Sequence, residues 1–201
     1  MDKYANYDEL KQHEKEGEDY VILLRENNSR IAVIATHGGG IEPGTVDIAD
    51  GVASREHNFY AFKGIKMKGN AVLHITSNRF DEPKGVRLAE NAELVVSIHG
   101  YQGEDEVVFI GGKNQDLKEK IRYALNEAGF HAEISTKTGL QGRHPENICN
   151  RCRNGEGVQL EISRGLRDRM FDNLNRRPWR KKTRLFFEFV DTLREALICV
   201  T

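Results

Sequence analysis

The sequence predicts an α/β protein in a single domain over residues 1–201, built on an open, twisted, mixed and mostly parallel sheet flanked by helices. Three observations predict it. Short apolar runs of strand length alternate with segments of helical period. Some of those runs are apolar at nearly every position, as strands covered on both faces are. And 201 residues at 38% hydrophobic content can bury one substantial core but not two.

Tyr20–Leu24 and Arg30–Thr36 read as strands, the second almost wholly apolar. Thr45 is placed to cap a helix over Val46–His57, in which Val46, Ala49, Val52 and Ala53 share a face. Asn58–Lys63, Ala71–Thr76 and Leu94–Ile98 read as further strands, with a helix over Pro83–Asn91 opened by its proline. After a strand at Val107–Ile110, Asn114 caps the clearest helix, Gln115–Ala128. Its Leu117, Ile121, Ala124, Leu125 and Ala128 stay in register, and Gly129 stops it. Phe130–Ser135 and Val158–Ile162 complete the strands. The irregular stretch between them, Thr136–Gly157, has the length of a functional loop. Helices over Arg164–Leu174 and Pro178–Leu197 close the chain.

Charge and composition narrow the function. Thirty basic against 31 acidic residues give a net charge of -1, so there is no general attraction to nucleic acid or an anionic membrane. Anion recognition has to be local. The opening MDKYANYDELKQHEKEGEDY is polar and acidic, unlike a secretory leader, and no apolar stretch approaches the ~18 residues of a membrane span. The expectation is a soluble monomer made in the cytoplasm without a signal peptide. Three cysteines, an odd number, fit reduced thiols.

The chemistry concentrates where α/β sheets hold ligands, beyond the carboxyl ends of the strands. In "ATHGGGIEPG", His37 closes one strand, and three glycines precede Glu42. In "LVVSIHGYQG", His99 closes another. Each histidine is followed by glycine, so the backbone can turn sharply and leave the imidazole exposed at the edge. Through the flexible loop Glu42 can return beside His37. Two imidazoles and a carboxylate with an open fourth position form the ligand set of a catalytic zinc site. Glu161, in "GVQLEISRG", sits in an apolar strand where a carboxylate is costly unless it serves a partner. Beside an activated water it would be the general base.

Each residue also has a plainer reading. A strand-end histidine is more often structural than a ligand, and a triple glycine is more often a turn or an anion nest. The coincidence of four such residues on one edge favours the metal site. Cys149-Asn-Arg-Cys152 has zinc-knuckle spacing with His144 near, but no second CxxC exists and Cys199 is remote. The pair also lies outside any opening βα unit, which argues against a thioredoxin-like role. "HGGGIEPG" is followed by neither a Walker lysine nor a GxGxxG, so a phosphate cradle is poorly supported.

His37-Gly-Gly-Gly-Ile-Glu42, Ser97-Ile-His99-Gly and Gln159-Leu-Glu161-Ile-Ser163 together resemble the phage-type poly-γ-glutamate hydrolase family, which includes proteins encoded by prophages. The likeness covers nearly the whole chain in motif order. It implies a zinc carboxypeptidase-like fold cleaving γ-linked glutamyl amides, with His37, Glu42 and His99 as Zn²⁺ ligands and Glu161 as catalytic carboxylate. The five-residue step from His37 to Glu42 departs from the three-residue step of ordinary carboxypeptidases, so ligand geometry is not transferable from them.

A poly-γ-glutamate substrate carries a free α-carboxylate on every residue and calls for guanidinium groups. Arg79 follows the strand ending at Thr76, Arg143 and Arg151 lie in the irregular stretch, and Arg164 and Arg167 follow Glu161. Asn150-Arg151 resembles the Asn-Arg pair that holds a substrate carboxylate in carboxypeptidases. Arg79, Arg143, Asn150, Arg151 and Arg164 are therefore the expected substrate contacts. Each arginine taken alone reads equally as a solvated surface residue, and Arg180-Lys181-Lys182 is assigned no role. Rival readings are a zinc amidase of cell-wall peptidoglycan and a non-catalytic protein whose metal only ties strands together. A phage protein acting on an extracellular polymer would be released at lysis.

Overall fold

The structure, a computed structural model, describes residues 2–198, so Cys199 lies outside the described residues. Seven strands form one sheet: β1 (Tyr20–Arg25), β2 (Ile31–Gly39), β3 (Asn58–Gly64), β4 (Leu94–Tyr101), β5 (Val108–Gly112), β6 (Ala132–Ile134) and β7 (Val158–Ser163). Their spatial order is β1-β3-β2-β4-β7-β5-β6. β3, β2, β4 and β7 run parallel. β1 joins β3 antiparallel, and β5 joins β7 antiparallel with β6 parallel to it. The sheet is thus mixed and mostly parallel, as expected.

Alternation along the strands divides the buried apolar residues into two layers. Val33, Ala35, Val96, Ile98, Leu160 and Ile162 face one side of the sheet. There they meet α2 (Thr45–Ala53), α4 (Gln115–Glu127), α5 (Arg164–Met170) and α6 (Arg184–Ile198). Ala32, Ile34, Tyr60, Phe62 and Val95 face the other side, against α1 (Tyr7–His13), α3 (Pro83–Asn91) and the loop carrying Ile148 and Cys149. The sheet therefore splits the single anticipated core into two layers.

Several expected elements take another form. Ala71–Thr76 is not a strand: Asn70–Leu73 makes a 3-10 turn opened by Gly69 at φ 75°. Thr45 is not the cap of α2, because Gly44 holds that place with φ 94° and Thr45 turns its hydroxyl back to the Glu42 carbonyl. The helix stops at Ala53 rather than His57, since Ser54 takes φ 49°. α5 ends at Met170 instead of Leu174 because Phe171 leaves it to pair with Lys182, making a short ribbon of β8 (Phe171–Asp172) and β9 (Lys181–Lys182). Pro178 lies in a 3-10 turn, Arg177–Trp179, and α6 begins only at Arg184. α1 was not anticipated. Asn6 caps it, and it buries only Tyr7 and Leu10, a contact too sparse for a periodic signal.

Candidate metal centre

Neither histidine ends its strand. β2 continues through His37 to Gly39 and β4 through His99 to Tyr101, so both imidazoles are buried, 3% and 2% exposed, rather than presented at the edge. On β4 and β7 simple alternation suffices. Ser97 and His99, like Gln159 and Glu161, point away from the face of Ile98 and Leu160. On β2 alternation alone would send His37 to the face of Val33 and Ala35. Between Ala35, which pairs with Ala61, and Gly38, which pairs with Lys63, β2 spends three steps against two in β3. This bulge turns His37 to the side of His99.

The glycines serve close approach, not flexibility. A Cβ on Gly38 would press on the Phe62 carbonyl and Val46, and one on Gly39, at φ 69°, would run into the backbone of Gly64. A Cβ on Gly40 would collide with the side chains of Arg177 and Asn70. The chain then returns, and the Glu42 amide donates to the His37 carbonyl at 2.8 Å.

The three side chains meet. His37 Nδ1 lies 3.1 Å from His99 Nδ1 and 3.2 Å from Glu42 Oε1. Ligand atoms from the three residues all fall within 4.8 Å of one another. Each has its back held. His37 Nε2 donates to the Ile75 carbonyl at 2.8 Å, leaving Nδ1 as the free lone pair of the neutral ring. His99 Nε2 is 2.6 Å from the Ser97 hydroxyl, and Glu42 Oε2 accepts the Gly100 amide at 2.7 Å. A proton between two facing ring nitrogens serves that pair alone, whereas a divalent cation serves all three donors. The donor set therefore fits such an ion, with N and O ligands of the kind zinc takes.

Burial disfavours charge throughout this cluster. It opposes the imidazolium of His37, yet the Glu42 carboxylate outweighs it and holds the His37 pKa above the ordinary histidine value. Burial likewise raises Glu42, and His37 brings it below the usual carboxylate range. His99 is pushed down to about 3 by burial and by His37, so its ring is neutral. Glu161 is pushed up to about 8 by burial and by Glu42. A cation among these donors shifts the balance toward neutral rings and ionised carboxylates.

Glu161 stands beside His99 across the β4–β7 ladder, where the two residues are register partners. Both line a cleft of about 590 Å³ with His37 and Glu42. Of the five residues expected to contact substrate, Arg143 lines that cleft. The other four lie outside its lining. Arg79 binds Asp2 at 2.7 Å, Arg151 binds Glu90 at 2.7 Å, and Arg164 binds Asp168 at 2.8 Å. Asn150 is buried, donating to the Gly142 and His144 carbonyls and accepting the Gly157 amide. Arg167 is wholly buried under Gly100. It donates to the carbonyls of Ile162, Pro43 and Tyr101, so one guanidinium ties together the three segments that carry Glu161, Glu42 and His99. Burial pushes its pKa down to about 10, which leaves it charged.

Two residues of the cleft that touch His37 or Glu161 were given no role in the sequence reading. His74 stacks on His37 with ring centroids 4.0 Å apart, and its Nδ1 meets Asp2 Oδ1 at 2.7 Å. Its signal was a third histidine, set between Leu73 and Ile75 in an apolar run and hidden by the reading of Ala71–Thr76 as an ordinary strand. Gln159, which donates to Glu161 Oε1 at 2.8 Å, was signalled by its place two residues before Glu161 on the same strand face.

An α/β sheet that brings two imidazoles and a carboxylate together beside an open cleft suits a hydrolase whose donor set could hold a metal ion. Residues 4–192 match the model of the poly-γ-glutamate hydrolase family, and the chain belongs to that family, a class of hydrolytic enzymes. It is 38% identical over 204 residues to the UPF0714 protein YndL of Bacillus subtilis (strain 168), covering 96% of this chain and 76% of that protein. Among solved structures, a bacteriophage poly-gamma-glutamate hydrolase superposes with a TM-score of 0.95 at 33% identity, over 100% of this chain and 98% of that one. The zinc-free form of YNDL superposes with a TM-score of 0.88 at 35% identity, over 98% of both chains. No helix among the described residues is long and apolar enough to cross a membrane.

Proposed function

We propose that this protein hydrolyses the γ-glutamyl amide bonds of poly-γ-glutamate, using Zn²⁺ held by His37, Glu42 and His99, with Glu161 as the general base. The observation that carries the reading is the convergence of three donor atoms within 4.8 Å beside Glu161 in one cleft. Similarity to a bacteriophage poly-gamma-glutamate hydrolase supports the substrate. Similarity to YNDL, solved in a zinc-free form, supports the metal.

When bound, a divalent cation makes water acidic enough to be a nucleophile near neutral pH and polarises the scissile carbonyl. Glu161 takes the proton from the attacking water and returns it to the leaving nitrogen as the C–N bond breaks. Its burial suits this exchange, because a carboxylate whose pKa is raised toward neutrality both accepts and releases a proton readily. Arg143, in the cleft wall, offers a guanidinium to the α-carboxylates of the polymer. Release at lysis of the host brings the enzyme to the extracellular polymer, and secretion from intact cells would count against that route.

Glu161→Gln should bind zinc at normal stoichiometry while kcat falls about 10²–10⁴-fold, the usual contribution of a general acid–base. Retained turnover removes Glu161 from the role. A product-length time course on purified polymer, with and without chelator, tests the substrate. No shortening by the metal-loaded protein overturns the assignment.

A further inference from the structure

We infer that Gln159 is a positioning residue for Glu161, and that Asn147 sets the direction in which Gln159 acts. The inference rests on Glu161 being the proton carrier proposed above.

The argument begins at a backbone amide, because an N–H can only donate. Cys149 N–H donates to Asn147 Oδ1 at 3.1 Å, capping the 3-10 turn Ile148–Arg151. With its oxygen committed, Asn147 has only its NH₂ left for the next contact, and Nδ2 donates to Gln159 Oε1 at 2.9 Å. Gln159 is thereby committed in the same sense, and its Nε2 donates to Glu161 Oε1 at 2.8 Å. Asn147, Gln159 and Glu161 are all buried, 3%, 3% and 8% exposed, so water does not readily take over these contacts.

The amide orientations, ordinarily ambiguous, are fixed here from one end. A carboxylate oxygen that already accepts an N–H is the poorer home for a proton, so Glu161 Oε2 is the oxygen that exchanges it. The carboxyl plane is held at the same time. The loop above leaves room for this arrangement: Gly142, at φ 58°, brings its Cα face close to the Gln159 amide, where a Cβ would stand 3.1 Å from Cδ and Oε1. An amide two residues before a strand carboxylate and on its face is thus more than lining.

The test compares Gln159→Leu and Asn147→Asp in zinc-loaded full-length protein on purified poly-γ-glutamate. Gln159→Leu should lower kcat about 10–100-fold, the range for partners that orient a functional side chain, with KM and zinc stoichiometry unchanged. In Asn147→Asp the new carboxylate still caps Cys149 N–H but can only accept from Gln159. The Gln159 amide then reverses and turns its oxygen on Glu161, so kcat should fall at least as far although Gln159 is intact. The double variant should be no worse than Gln159→Leu alone. A Gln159→Leu enzyme within twofold of the parent in kcat overturns the inference, as does a loss appearing in KM or zinc content, or effects that simply multiply. Asn147 lies in a loop outside the sheet, so its variant carries the test if Gln159→Leu does not fold. Full turnover by Glu161→Gln would instead overturn the base assignment, a failure distinct from this one.

Discussion

His37, Glu42, His99 and Glu161 contrast with Arg79, Arg151 and Arg164 in what holds them. Three of the first four stand on strands of the sheet, and all four are held from behind by backbone groups or buried side chains: the Ile75 carbonyl, the Gly100 amide, the Ser97 hydroxyl and the Gln159 amide. Each of the three arginines ends in an ion pair, Arg151 and Arg164 with the exposed carboxylates of Glu90 and Asp168 and Arg79 with the largely buried Asp2. A short side chain on a rigid strand can be placed to within a fraction of an ångström by its neighbours. A long one on a loop or helix goes where the nearest opposite charge lies. Chemistry that needs three atoms around one ion draws on the first kind of residue.

The largest effect expected from that difference is His99→Ala. It removes one of three donors and leaves His37 Nδ1 facing Glu42 alone. Zinc affinity should fall more than about a thousandfold, because even a partner behind a ligand is worth 10–100-fold. Hydrolysis should fall with it. Under the proposed metal site, a bound ion would also stabilise the fold by mass action, about 3–4 kcal/mol at 100–1,000 times its Kd. Chelating the parent protein should therefore lower Tm by about 5–15 °C for a chain of this size, while His99→Ala should show no chelator-dependent shift. Metal analysis and paired melting curves with and without chelator decide it. An unchanged zinc content in His99→Ala would dissolve the contrast.

The same contrast explains what was legible in the sequence. Glu161 stood out because a carboxylate inside an apolar strand must find a buried partner, whereas His99 was read as closing a strand that in fact runs on to Tyr101, where the period of two turns the ring to the face of Glu161. His37 was found, but its strand was cut short and its direction was hidden. The extra residue between Ala35 and Gly38 leaves no mark in composition and appears only as a change of register against β3. His74 went unread because Gly69 and Asn70 replace an expected strand with a 3-10 turn. The ends of α5 and α6 were misplaced for a tertiary reason. Phe171 pairs with Lys182 and packs on Phe186 instead of continuing the helix, and helical periodicity carries no information about that partner. For the arginines, sequence fixes only where the Cα is, and the guanidinium reaches several ångströms from there.

Arg143 is the intermediate case, an arginine on a loop whose residue does line the cleft. Arg143→Ala should raise KM for the polymer about tenfold, equivalent to the 1.5 kcal/mol at the lower end for a hydrogen bond to a charged group. kcat should be little changed, because the α-carboxylate it grips is present equally in ground and transition states. A fall in kcat at constant KM would place Arg143 on the reacting carbonyl instead.

Arg164→Ala should have the smallest effect. Its guanidinium binds Asp168 one helical turn on, with the two side chains 29% and 50% exposed. Such i,i+4 pairs are worth about 0.3–0.5 kcal/mol in water, partly screened by salt. Tm should fall by no more than about 2 °C, and polymer KM should stay within twofold of the parent. Measured beside Arg143→Ala at two salt concentrations, the pair of variants separates long-range attraction of a polyanion from direct contact. Removing either cation weakens a purely electrostatic field similarly, and added salt erases both losses. A contact in the cleft makes Arg143 matter and Arg164 not. If Arg164→Ala raised KM as far as Arg143→Ala does, the polymer would have to extend over the outer face of α5, and position in the cleft would no longer separate the arginines that touch substrate from those that only balance charge.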